Sequence, residues 1–244
     1  MRPFPCLALL LTAAASLVAG EPRRPRDRSP AGGPGVLKPS TADTMRANVY
    51  ADNWFMMYIN GRLVAVDSID FLTHNVVSVD LLPEYPMTIA IMAKDNADPK
   101  TGMEYGNHIG DGGFILKFAD GTVTNATWKA KCFFRGPLDR NTSQPKVEHL
   151  PIPENWFAPD FDDRAWPQAV EYTEERVNPK QPFYGADFTG AKWIWTADLD
   201  LDNTVIFRTR IEKPGLSTCA RKMTVLSRPR SLDQIHFAPL KSAW

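Results

Sequence analysis

The sequence predicts an all-β protein, an antiparallel β-sandwich carried between flexible termini. Three observations lead there. Runs of four to eight strand-forming residues recur between turn signals such as Asn60-Gly61 and Asp120-Gly121. No segment keeps apolar residues at spacings of three and four over three turns, so helix is minor. Finally, 21 prolines stand beside 15 glycines, a load that interrupts helices and suits short strands joined by turns.

The elements follow in order. Residues 1–20 read as a signal peptide: Arg2 is basic, Leu7 to Val18 is apolar or small apart from Thr12 and Ser16, and Val18-Ala-Gly20 offers small residues for cleavage before Glu21. A secreted, extracellular product is the expectation, since no later run approaches a membrane span. Residues 21–46 read as a flexible arm, with five prolines, three glycines and four arginines between Glu21 and Pro39. The cluster Arg23, Arg24, Arg26 and Arg28 reads as a solvated tail, a processing site or a contact for acidic glycans.

Residues 47–212 read as the sandwich. Trp54-Phe-Met-Met-Tyr-Ile59 and Arg62-Leu-Val-Ala-Val66 flank Asn60-Gly61 as a hairpin, because a type I′ turn needs two residues at positive φ. Val76 to Leu82 and Met87 to Ala93 are two further strands. Phe114 to Phe118, Asp120-Gly121 and Thr122 to Thr124 suggest a second hairpin, and Thr204 to Ile211 a last strand. Between Gln144 and Gly190 the chain is proline-rich, aromatic and weakly periodic, the composition of long connections. Residues 213–244, with six basic residues and one acidic, read as a basic C-terminal tail.

Composition narrows the function. With 28 basic and 28 acidic residues the chain lacks the basic surplus that nucleic-acid binding requires. Cys6 would leave with the signal, and Cys132 and Cys219 then most simply form one disulfide in an oxidising compartment. That bridge would contribute about 4–5 kcal/mol in the chain-entropy description. Two separate or intermolecularly paired thiols are the alternative. Asn125-Ala-Thr127 and Asn141-Thr-Ser143 are candidate glycosylation sites.

Several stretches, in this order, resemble one superfamily. They are Tyr50-Ala-Asp-Asn53, the Asn60-Gly61 hairpin, Met87-Thr-Ile-Ala-Ile-Met-Ala-Lys-Asp95, Gly112-Gly-Phe-Ile-Leu-Lys-Phe-Ala-Asp-Gly121, Thr127-Trp-Lys129, Phe161-Asp-Asp-Arg-Ala-Trp166, Trp193-Ile-Trp195 and Val205-Ile-Phe-Arg208. Together they resemble the galactose-binding-like jelly-roll modules that accompany glycoside hydrolases, including α-L-rhamnosidases and relatives of β-galactosidase. The resemblance covers about residues 47–212. It implies the jelly-roll fold, and it implies sugar binding or bracing of a catalytic neighbour, so function has to be argued from sites.

Four constellations bear on that argument. The segment Asp95-Asn-Ala-Asp98 to His108-Ile-Gly-Asp-Gly-Gly113 is a long loop between strands, and such loops on rigid sandwiches often bind ligands. Sugar recognition needs planar hydrogen-bonding groups and an aromatic face. Asp52, Asn53, Trp54, Asp95, Asn96, Tyr105, Asn107 and His108 supply both if the loops meet; otherwise Asp, Asn and Gly are simply turn formers. Asp162-Asp163 with Trp166 reads as a turn cap and its aromatic anchor. Asp198-Leu-Asp-Leu-Asp-Asn203 begins like an EF-hand but has Asn203 and Thr209 where Gly and Glu are needed, so it reads as a strand or its approach. Trp128, Trp166, Trp193 and Trp195 read as core, while Trp54 and Trp156 are less committed.

No nucleophile elbow, His-Glu-x-x-His or phosphate-binding loop occurs, and His74, His108, His149 and His236 lack metal-ligand spacing. The expectation is a secreted, non-catalytic carbohydrate- or glycoconjugate-binding protein. It has no assigned cofactor, calcium is left open, and glycans or glycoproteins are its partners. The alternative is an extracellular matrix or coat protein that meets polyanions through its basic termini. A hydrolase, or an accessory subunit of one, is a third reading.

Overall fold

The computed structural model describes residues 40–67, 76–180 and 183–212. The expected signal peptide, most of the arm and the basic tail lie outside them, as does Cys219. Within them, thirteen strands run in order: β1 Met45–Asp52, β2 Trp54–Ile59, β3 Arg62–Val66, β4 Val76–Leu81, β5 Met87–Lys94, β6 Met103–Glu104 and β7 His108–Ile109. Then come β8 Gly113–Phe118, β9 Lys129–Arg135, β10 Glu148–His149, β11 Val170–Tyr172, β12 Trp193–Trp195 and β13 Asp202–Ile211. The one α-helical turn, α1 Glu174–Val177, is started by the Thr173 hydroxyl, which accepts from Arg176 N, and ended by Asn178 in the left-handed region.

Two antiparallel sheets pack face to face. One has the order β11-β12-β8-β1-β4, the other β10-β9-β13-β5-β2-β3, and β6 with β7 forms a separate small hairpin. The core between the large sheets takes Val49, Phe114 and Leu116 from the first and Phe55, Ile91, Val205 and Phe207 from the second. Phe114 stacks on Phe207 across it, with ring centroids 5.2 Å apart. Each such side chain contributes about 1.5–3 kcal/mol by leaving water.

Strand periodicity explains why the second sheet is buried on both faces. Along β5, Ile89, Ile91 and Ala93 point into the core, while Ala90 and Met92 point outward. Along β2, Phe55, Met57 and Ile59 point inward and Trp54, Met56 and Tyr58 outward. The outward set is covered by the connection after β10: Phe157 stacks on Tyr58 at 4.4 Å, and Trp166 meets Phe133 at 5.7 Å. The long segment after residue 144 therefore wraps the sheet, as its composition suggests, and Trp156 is buried in that layer with no face left for a ligand.

Details depart from expectation in instructive places. The first hairpin has the predicted boundaries, with Asn60 at φ 48° and Gly61 at φ 78°. The second is reduced to a single bridge between Lys117 and Val123: Leu116 N donates to the Thr124 hydroxyl at 3.2 Å rather than to a backbone carbonyl, and that hydroxyl donates to the Lys192 carbonyl at 2.7 Å. Ser40 caps a short 3-10 turn over Thr41–Asp43, and β1 starts at Met45, so the described part of residues 21–46 holds regular structure. Strand β9 has no clean alternation, since it sits between β10 and β13 with both faces partly covered. Cys132 on β9 is a free thiol whose Sγ donates to the Phe134 carbonyl at 3.2 Å, and burial pushes its pKa up.

Candidate functional site

One end of the sandwich gathers the chemistry. Strands β5 and β13 lie antiparallel with Lys94 opposite Thr204, so Asp95, just past one strand, stands beside Asn203 at the start of the other. Asp95 N donates to the Asn203 carbonyl at 2.9 Å, extending the ladder by one bond. Strand β1 ends at the same place, and Asn53 N donates to the Lys94 carbonyl at 2.8 Å. The Asp52–Asn53 peptide is cis.

The chain then folds a compact excursion before β8. Asp98 initiates it: its Oδ1 accepts from Lys100 N at 2.8 Å and Thr101 N at 3.0 Å, an Asx turn that holds its carboxyl below the usual range. Gly102, at φ 69°, lies so close to Gly136 that a Cβ would sit 2.4 Å from the Gly136 carbonyl carbon, which makes glycine necessary there. The β6–β7 hairpin follows, with Tyr105 at φ 47° and Gly106 at φ 88° in its turn.

The eight expected ligand residues divide into two groups. Asp52, Asn53 and Asp95 are buried and bonded inward: Asn53 Nδ2 donates to Asp52 Oδ1 at 2.8 Å, and Asn96 N donates to both Asn53 Oδ1 and Asp95 Oδ1. These bonds brace the loop, and Asp95 keeps its second oxygen, Oδ2, without a hydrogen-bond donor. Trp54 also departs from expectation. It is on the outer face of β2, donates its indole N–H to the Asp67 carbonyl at 2.8 Å and lies under the Lys94 ammonium. The outward group is Asn96, Tyr105, Asn107 and His108. Tyr105 is 67% exposed, with His108 edge-on at 6.3 Å. A cleft of about 500 Å³ opens below them, lined by Asn96, Asp98, Thr101, Met103 and Tyr105.

Three residues that bear on this end do not stand out in the sequence: Glu104, Asp111 and Asn203. One oxygen from each of Asp95, Glu104 and Asp111 lies within 4.8 Å of the others. Asp95 is 6% exposed and Glu104 6%. Burial, then the nearby Glu104 carboxyl, raise the Asp95 pKa well above the ordinary value, with Asp52 and Asp111 adding to it. The signal for Asp111 was the glycine on either side of it. For Asn203 there is none, because strand pairing alone brings it here.

The remaining constellations are structural. Asp163 accepts from Arg208 Nε at 2.8 Å, and the same guanidinium donates to the Trp156 and Ala158 carbonyls. Asp162 caps its own turn by accepting from Arg164 N, and Trp166 anchors it in the outer layer. In the Asp198–Asn203 stretch, Asp198 Oδ1 accepts from Asp200 N and Leu201 N, while Asp200 pairs with Arg140 and Arg176. This is a tight turn into β13. Asn125 and Asn141 sit in surface turns, each accepting from the backbone two residues on.

A second groove of about 700 Å³ runs beside β11 and β12, between Tyr172, Glu174, Phe183, Tyr184 and Lys192. Phe183 is committed to the core against Phe188 and Trp193, which leaves Tyr184 as its exposed ring. Among the described residues no helix is long and apolar enough to cross a membrane. No protein-family model, curated protein or solved structure matches the chain.

Proposed function

We propose that the protein is a non-catalytic binding protein whose ligand is a carbohydrate or glycoconjugate, held at the end of the sandwich by the β6–β7 hairpin. The observation that carries this reading is the Tyr105 ring, 67% exposed at the mouth of a cleft walled by Asn96 and Asp98. An exposed aromatic face beside amide and carboxylate groups suits a sugar ring, whose C–H face stacks while its hydroxyls hydrogen-bond. The rigid sheets behind it and the inward-bonded Asp52, Asn53 and Asp95 keep the hairpin in place, so little ordering is required on binding. The sequence resemblance of residues 47–212 to galactose-binding-like jelly-roll modules supports the same reading, as does the secretion expected from the N-terminal sequence.

A glycan array probed with the secreted full chain tests it. Binding to a subset of neutral glycans that persists at high salt is expected, and Tyr105→Ala should abolish it without changing the unfolding temperature. Retention of binding by Tyr105→Ala with loss in Tyr184→Ala would move the ligand to the β11–β12 groove and overturn the site. Binding only to polyanions, lost as salt rises, would overturn the function and favour a matrix role.

A further inference from the structure

We infer that Asp95, Glu104, Asp111 and Asn203 form a calcium site that ties the β6–β7 hairpin to the ends of β5 and β13. The three carboxylates alone would not carry this. The independent observation is Asn203: its side chain is fully buried, Nδ2 donates to the Gly136 and Gly102 carbonyls at 3.0 and 3.4 Å, and Oδ1 has no hydrogen-bond partner. Those two bonds fix the amide, so Oδ1 must point away from both carbonyls. It points into the cluster. An atom placed at the Cβ position of Gly110 would lie 3.3 Å from Asn203 Oδ1 and 1.8 Å from Asp95 Oδ2. Asp95 Oδ2 is likewise buried without a donor. Two orphaned acceptors thus meet beside Gly110, and one oxygen of Asp95 lies within 4.8 Å of an oxygen of Glu104 and of Asp111.

An unsatisfied buried acceptor costs about 1–3 kcal/mol, and more when charged. Among the described residues Thr88 Oγ1 and Trp193 Nε1 are also unpaired and stand singly, while Arg135 Nε and Asp202 Oδ1, which lack a hydrogen bond, answer each other as an ion pair at 3.2 Å. Only at Asp95 and Asn203 do orphaned oxygens converge with like charge, and no lysine or arginine among the described residues forms an ion pair with Asp95 or Glu104. A cation removes both costs at once. Carboxylate and amide oxygens without nitrogen or sulfur are the donors of a hard ion, and calcium takes them at about 2.3–2.6 Å. Oxygens sharing such an ion lie no farther apart than twice that distance, and the three carboxylate oxygens are within 4.8 Å of one another. Asp111, on the solvent side, leaves room for water to complete the shell.

The test needs no glycan, so its failure is separable from failure of the binding reading. The full chain is stripped with chelator and titrated with calcium chloride by calorimetry and by thermal unfolding. One ion per chain is expected, with the unfolding temperature rising as free calcium rises above its dissociation constant. Asp111→Asn should weaken calcium binding at least tenfold, and Glu84→Gln, before the opposite end of β5, should bind like the parent. Absence of heat and of any thermal shift with calcium would overturn the site. Full-affinity calcium binding by Asp111→Asn would also overturn it, and binding of magnesium in preference to calcium would overturn the choice of ion.

Discussion

Two of the buried polar residues of strand β13, Arg208 and Asn203, stand five positions apart and are treated in opposite ways. Arg208 is 2% exposed and well supplied with acceptors, one from Asp163 and two from the carbonyls of Trp156 and Ala158. Its guanidinium also lies over Phe161, 5.0 Å from the ring centroid. Asn203 spends both amide protons and keeps an idle oxygen among carboxylates. The first is a closed network and needs nothing from outside. The second is an open one. Along β13, buried polarity thus braces the structure where every group is answered, and the group left over at Asn203 calls for an explanation.

The largest expected effect lies in the closed network. Arg208→Met leaves the Asp163 carboxylate and two carbonyls without their donor, and should cost about 3–5 kcal/mol in denaturant unfolding. The aromatic layer of Trp156, Phe161 and Trp166 should loosen with it, read as a shift in tryptophan emission. A loss below 1 kcal/mol would mean that water answers those groups and that the network is not closed.

Next is Gly110→Ala. The added Cβ would meet Asp95 Oδ2 at 1.8 Å, closer than any non-bonded contact, so the carboxylate or the loop has to move. A destabilisation of about 1–3 kcal/mol is expected from overpacking, together with loss of the calcium response. Unchanged stability would show that Asp95 can swing aside, which would break the claim that its oxygen is fixed.

Acid sharpens the contrast further. In chelator, burial and the facing Glu104, Asp52 and Asp111 groups hold the Asp95 pKa above its unfolded value. Between the unfolded and the folded pKa the native state binds more protons, so stability falls as pH rises through that window. The stripped protein should therefore gain stability as pH falls through that window, and Asp95→Asn should remove that gain. Steady destabilisation of the stripped parent over the same window would contradict an uncompensated Asp95.

How far the sequence revealed these two regions follows from the range of the interactions. The Asn60-Gly61 turn and the strand β5 are local, and they appear where expected. The loop from Asp95 to Gly113 is legible from composition, and its turn residues do make turns. Trp54 was misplaced because its alternation with Phe55 puts it outward, and only the cover formed by Trp156 and Phe157 decides what outward means. Asn203 was invisible as a ligand. Its role depends on an antiparallel register that sets it beside Asp95, over a hundred positions away in the chain. Long-range pairing is the link that residue patterns do not carry.

The smallest effect is expected at the neighbour of Asp163, and it is the sharpest check on the comparison. Asp162 and Asp163 are adjacent carboxylates, and both accept from an arginine. The arginine beside Asp162 is Arg164, two residues away and exposed; its hydrogen bonds hold the Asp162 pKa well below the ordinary carboxylate value. Water screens that pair and can replace either partner. Asp162→Asn should leave the denaturant midpoint unchanged at neutral pH, whereas Asp163→Asn should lower it by leaving the Arg208 charge buried and poorly answered. If the two variants behaved alike, burial of the partner would not be what separates a structural ion pair from a surface one, and the distinction drawn along β13 would fail with it.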